Sequence, residues 1–167
     1  RAIADRCHAF KTQVAYHGPH EKDVPYAYYP NLMQMAREVD CLIVACPGGE
    51  ATQHLIDWQI LESLGPQGHL VNVARGSVVD EQALIMALQK NVIAGAALDV
   101  FEREPNVPEI LRSMPNVFLS PHVASATEET RRAMGRLANS NLDAFFSGQP
   151  LLTEVKPLEE LRPALAA

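Results

Sequence analysis

Short apolar runs alternate along this chain with segments whose apolar residues recur at helical spacing. Residues 1–10 predict a helix with Ile3, Cys7 and Phe10 along one face. Residues 12–16 read as a short strand, 17–25 as a loop, and 31–38 as a helix carrying Leu32, Met35 and Ala36. The apolar run over 41–45 has the composition of a buried strand and stops at Cys46-Pro47-Gly48-Gly49. Short helices are expected over 52–55 and 57–64, closed by Gly65-Pro66, and a strand over 69–74. Asp80 is placed to cap a helix reaching residue 89, with Leu84, Ala87 and Leu88 on its apolar face and Asn91 past its end. A strand within 92–100, a short helix over 108–113 and a last strand over 117–120 follow. Ser125-Ala126-Thr127-Glu128 fits a capping box. It opens a long helix expected to turn Met134, Leu137, Ala138, Leu142 and Phe145 inward and to end at Gly148. This βα alternation predicts an α/β protein with a Rossmann-like, doubly wound parallel sheet.

That fold begins with a strand and a G-x-G-x-x-G turn. Here the first element is a helix, and none of the nine glycines forms that pattern. The first strand of a doubly wound sheet lies in its middle, so without it the remaining strands cannot make one continuous ladder. The expectation is a fold incomplete at its N-terminus, with the glycine loop, the central strand and most of a substrate domain outside these residues.

Composition narrows the class. The chain has 167 residues, 47% of them hydrophobic, enough for one sizeable core. A net charge of -6 argues against nucleic acid or an anionic membrane as partner. No apolar stretch approaches the roughly 18 residues of a membrane span, and the N-terminus does not read as a signal peptide. Cys7, Cys41 and Cys46 lack metal-ligand spacing, so no metal site is expected. Cys41 and Cys46 flank an apolar run, which suggests buried, reduced thiols and a cytoplasmic protein.

Three residues carry candidate chemistry. Arg75 follows the run ending Asn72-Val73-Ala74, Glu104 follows Leu98-Asp99-Val100-Phe101, and His122 follows Phe118-Leu119-Ser120-Pro121. Parallel α/β sheets bind ligands at the carboxyl ends of their strands, where all three should lie. Arginine can grip a carboxylate with two parallel hydrogen bonds. Histidine can hand a proton to a carbonyl oxygen, and a glutamate can hold that histidine in the required tautomer. Together they form a set suited to reducing a keto acid.

The flanking motifs Asn72-Val73-Ala74-Arg75-Gly76, Leu98-Asp99-Val100-Phe101-Glu102-Arg103-Glu104-Pro105 and Ser120-Pro121-His122-Val123-Ala124-Ser125 resemble those of the D-isomer-specific 2-hydroxyacid dehydrogenases. Within that family the likeness is to the glyoxylate/hydroxypyruvate and hydroxyphenylpyruvate reductase branch, and it runs from Arg1 to about Val155. The resemblance implies that Arg75 binds the substrate carboxylate, that His122 donates the proton and that Glu104 pairs with His122. It also implies a homodimer, with residues 1–150 as a partial NAD(P)-binding domain and 151–167 as a tail crossing back to a substrate domain. Pro47, Thr52, Ala74 and Asp99 would then face the cofactor, Asp99 on its nicotinamide side. Pro47 and Thr52 also fit an ordinary turn. Ser125 is a candidate contact as well as a helix cap, and both uses compete for one hydroxyl. Trp58, Tyr26, Tyr28 and Tyr29 read as packing residues.

Cofactor choice turns on the residue after Tyr16. NAD-specific domains place a carboxylate there for the ribose 2′-hydroxyl, and it repels a 2′-phosphate. This chain has His17-Gly18-Pro19-His20, with neither Asp nor Glu nor an arginine. NADP is therefore preferred over NAD, with dual use open and a pH-dependent contact from His17 or His20. The implied reaction reduces a small 2-keto acid such as glyoxylate or hydroxypyruvate to the D-2-hydroxy acid. The alternative is a redox-sensing binding protein like the C-terminal-binding-protein corepressors, which are similar to this family and keep its catalytic set.

Overall fold

The computed structural model describes residues 1–155, in two compact units that divide between residues 124 and 125. In the first unit, α1 (Ala2–Ala9) precedes β1 (Ala15–Tyr16) and β2 (Ala27–Tyr28), which form a small parallel sheet. Then come α2 (Leu32–Glu38), β3 (Cys41–Val44), α3 (Trp58–Leu64), β4 (His69–Asn72), α4 (Glu81–Gln89), β5 (Gly95–Leu98), α5 (Glu109–Ser113) and β6 (Val117–Leu119). Short 3-10 turns over Glu50–Thr52 and Gly76–Val78 follow β3 and β4. Strands β3, β4, β5 and β6 form a second, all-parallel sheet in that order. The expected α/β class and parallel sheet are present, and the strands fall into two separate ladders, as the sequence implied.

Local chemistry explains most element starts. Asn31, Asp57 and Asp80 each accept a hydrogen bond from the backbone N–H three residues on, satisfying a donor that the first helical turn leaves free. Asn91, just past α4, sits at φ 53°, a left-handed conformation asparagine tolerates. Leu42, Val44, Leu70, Asn72, Ala96 and Leu98 point from the sheet into a core closed by Ala36 of α2, Leu61 of α3 and Leu84, Ala87 and Leu88 of α4. The alternate positions Cys41, Ile43, His69, Val71 and Ala97 are only half-buried or exposed. That alternation, interrupted in β5 by the buried Gly95, marks a sheet with one better-covered face.

Several expectations need correction. The strand β2 was not predicted, because two residues are too few for a period to show. Cys41 is exposed rather than buried: β3 alternates, and Cys41 falls on its open face. The three thiols are free. The α1 stripe is also largely open, with Phe10 84% exposed and no buried residue in the helix.

In the second unit, α6 (Glu128–Phe146) is capped by Thr127, whose hydroxyl accepts from Thr130 N–H. Ser125 therefore does not cap it. The helix starts two residues later than the capping box suggested, and the cap must immediately precede the first turn. The expected inward face of α6 is exposed, including Met134, Leu137, Leu142 and Phe145, because this unit contains no second layer among the described residues to cover it. After the helix the chain folds back, and Asn141 exchanges hydrogen bonds with Thr153. Most of the expected tail, residues 156–167, lies outside the described residues.

Candidate active site

Because every strand pair is parallel, β3, β4, β5 and β6 end on the same side of their sheet, and the candidate residues follow those ends. The turn after β4 is built on Asn72, which is 1% exposed and therefore must spend both ends of its amide inside the protein. Its Oδ1 accepts from Ala74 N–H at 3.0 Å, and its Nδ2 donates to the Arg75 carbonyl at 3.1 Å. Arg75 leaves this turn exposed, its Nη1 donating to the Ala74 carbonyl at 2.6 Å. Gly48 makes room for the Arg75 side chain, and Gly76 lets the turn pack against the Phe101 backbone. A Cβ at Gly48 would lie 2.7 Å from Arg75 Cγ, and one at Gly76 would lie 2.0 Å from the Phe101 carbonyl carbon.

The segment after β5 carries two carboxylates with different tasks. Asp99 is 4% exposed and accepts from the Ser120 hydroxyl at 2.5 Å, Val123 N–H at 2.8 Å and Ala124 N–H at 2.9 Å. Burial alone would raise its pKa. The Ser120, Val123 and Ala124 hydrogen bonds and the His122 charge outweigh that and hold it below the usual carboxylate range. Asp99 thus braces the loop that carries His122.

Glu104 reaches His122 directly. Its Oε1 accepts from Phe101 N–H at 3.0 Å, and its Oε2 lies 2.7 Å from His122 Nδ1. Desolvation opposes the charge on Glu104. The His122 hydrogen bond, the Phe101 N–H and the nearby charges of His122 and Arg75 prevail, so its pKa is lowered. An ionised carboxylate can only accept, so Nδ1 carries the hydrogen and Nε2 is the ring position left for another partner. The structure therefore brings Arg75, Glu104 and His122 together, as the motifs implied.

The other candidates lie as follows. Thr52 donates to the Pro47 carbonyl at 2.8 Å, closing the turn after β3. Ala74 is buried. His17, half-buried after β1, holds the Tyr29 carbonyl through Nδ1 at 2.8 Å. Ser125 is exposed at the start of the second unit. Sequence reasoning missed a second imidazole–carboxylate pair, His54 Nε2 to Glu102 Oε1 at 2.6 Å, and Glu81, which accepts from Glu102 N–H. His54 and Glu102 stand 48 positions apart in loops, so no local spacing could reveal them. The described residues contain no cluster suited to a metal and no helix long and apolar enough to cross a membrane.

A profile described as "D-isomer specific 2-hydroxyacid dehydrogenase, NAD binding domain" matches residues 1–124, and the chain belongs to that family. It is 51% identical to glyoxylate/hydroxypyruvate reductase A of Arabidopsis thaliana over 155 residues, covering 92% of this chain and 50% of that protein. Hydroxyphenylpyruvate reductase of Plectranthus scutellarioides is 46% identical over the same share. Among solved structures, an NADPH-dependent glyoxylate/hydroxypyruvate reductase from Sinorhizobium meliloti, in complex with NADP and malonate, superposes with a TM-score of 0.90 at 52% identity. That match covers 92% of this chain and 49% of the other. The chain thus spans about half the length of the relatives it matches.

Proposed function

We propose that the intact protein is an NADP-preferring reductase of small 2-keto acids, of the glyoxylate/hydroxypyruvate type. The observation that carries this reading is the 2.7 Å contact between Glu104 Oε2 and His122 Nδ1, with the Arg75 charge beside it. Arg75 anchors the substrate carboxylate, and His122 protonates the carbonyl oxygen from Nε2 as Glu104 steadies the imidazolium. The bound nicotinamide supplies the hydride to the carbonyl carbon. The donor set fits NADP, since His17 and not a carboxylate stands directly after Tyr16, the position from which a carboxylate would repel a 2′-phosphate. Pro47, Thr52, Ala74, Asp99 and Ser125 are assigned to the cofactor side. Residues 1–150 are assigned to the nucleotide-binding domain and 151–167 to a tail returning toward a substrate domain. The net charge of -6 argues against nucleic acid as a partner. The family likeness and the three free thiols support a cytoplasmic homodimer.

The test is His122→Asn in the intact protein, assayed with glyoxylate and hydroxypyruvate against NADPH and NADH. Turnover should fall by about 10²-fold or more, the order expected for losing general acid catalysis, while cofactor affinity stays within about twofold. Unchanged turnover would remove His122 from the role.

A further inference from the structure

We infer that His54 is a positioning residue, whose ring, bound to Glu102, fixes the turn that presents Glu104 to His122. The inference rests on the dehydrogenase reading above and adds a residue that acts on the proton donor without touching substrate.

His54 sits where the turns after β3, β4 and β5 meet. Its backbone is at φ 48°, a left-handed conformation that persists only where the surroundings impose it. The turn after β4 imposes it. His54 N–H donates to the Ser77 carbonyl at 2.9 Å and Ile56 N–H to the Val78 carbonyl at 3.0 Å, while Asp80 N–H donates back to the Ile56 carbonyl at 3.0 Å. Ile56 and Val78 are both buried and anchor this short ladder in the core. From that fixed base the ring reaches the turn after β5. Its Nε2 lies 2.6 Å from Glu102 Oε1, and because a carboxylate oxygen accepts, Nε2 donates.

Glu102 is gripped from two sides. Its side chain takes the His54 ring, and its N–H donates at 3.3 Å to Oε2 of the buried Glu81 in the first turn of α4. Phe101 N–H, one residue earlier, donates to Glu104 Oε1 at 3.0 Å, and Glu104 Oε2 meets His122 Nδ1 at 2.7 Å. The path from His54 to His122 therefore runs through Glu102, the backbone of 101–104 and Glu104. The two halves of His54 hold different things. Its backbone N–H ties the turn that carries Arg75, and its ring ties the turn that carries Glu104. Removing the ring frees only the second, so proton transfer suffers and carboxylate binding does not.

The test uses the intact protein with NADPH and glyoxylate or hydroxypyruvate. His54→Ala should lower kcat about tenfold, the scale of one lost hydrogen bond. KM for the keto acid and Kd for NADPH should stay within about twofold of wild type, since ground-state binding is untouched. His54→Gln places a donor nitrogen the same number of bonds from the backbone and should restore kcat to within about threefold of wild type. Glu102→Ala breaks the same bond from the other side, so it should match His54→Ala, and the double variant should be no slower than either single one. In a Glu104→Ala background, where no carboxylate is left to position, His54→Ala should cost nothing further in kcat. A purely structural His54 would lower kcat by the same factor in both backgrounds, or raise KM and Kd together. Either result, or a wild-type kcat in His54→Ala, overturns the inference and leaves the dehydrogenase reading intact. A wild type that reduces neither keto acid overturns both.

Discussion

His122 adopts φ 54°, a left-handed conformation that costs an ordinary side chain about 1–2 kcal/mol. Such strain persists only where the surroundings over-determine it. Here Asp99 supplies the constraint by receiving the N–H groups of Val123 and Ala124, the two residues that follow His122. The carboxylate that sequence motifs assign to the nicotinamide side thus has both oxygens engaged in shaping the loop of the candidate acid. Asp99 ionises more readily in the folded protein than in the unfolded chain. Its contribution to stability is therefore complete above the unfolded value of about 3.9 and is lost as pH falls through the lower folded value. Asp99→Asn should lower stability at neutral pH and flatten the acid limb of the stability profile. Urea titrations of wild type and variant between about pH 6 and about pH 3 check this, and parallel curves would show that the carboxylate is not the brace.

At the level of elements, the site depends on how closely the turns after β4 and β5 approach. Gly76 permits that approach, because the atoms a Cβ would strike belong to the Phe101 and Glu102 backbone and cannot rotate away. Gly76→Ala should destabilise the protein by about 1–3 kcal/mol, the usual scale of overpacking, and displace the segment carrying Glu104. A denaturant midpoint equal to wild type would show that the turns separate at no cost. The close approach itself was invisible in the sequence, where residues 76 and 101 are far apart. The strand ends were legible, since each apolar run stops at a polar or glycine-rich turn, and so were Arg75, Glu104 and His122. Caps at Asn31, Asp57 and Asp80 follow from side-chain chemistry within three residues. Ser125 and Thr127 both carry a hydroxyl ahead of the same helix, and the capping-box pattern points to Ser125 where the structure uses Thr127. Burial was the weakest expectation, because periodicity shows which face of α6 is apolar but not what covers it.

Across the chain as a whole, apolar surface is left open in both units, each considered by itself. In the first, Phe118 on β6 is 69% exposed beside a groove of about 470 Å³ lined by His69, Val71 and Ala97. In the second, Phe145 and Phe146 are 65% and 81% exposed on α6. Among the described residues, strands β3 and β6 also have one hydrogen-bonded neighbour each, so each presents an unpaired edge there. Exposed apolar patches of this kind mark surfaces that associate. A net charge of -6 opposes association only weakly at physiological salt, where charges more than about 8 Å apart are screened. The 167-residue chain produced by itself should therefore self-associate at micromolar concentration. Phe118→Glu combined with Phe145→Glu should reduce that association without changing the helix content. Sedimentation velocity and far-ultraviolet circular dichroism make the comparison. A wild-type chain that sediments as a single monomeric species would show that these faces are covered within the chain.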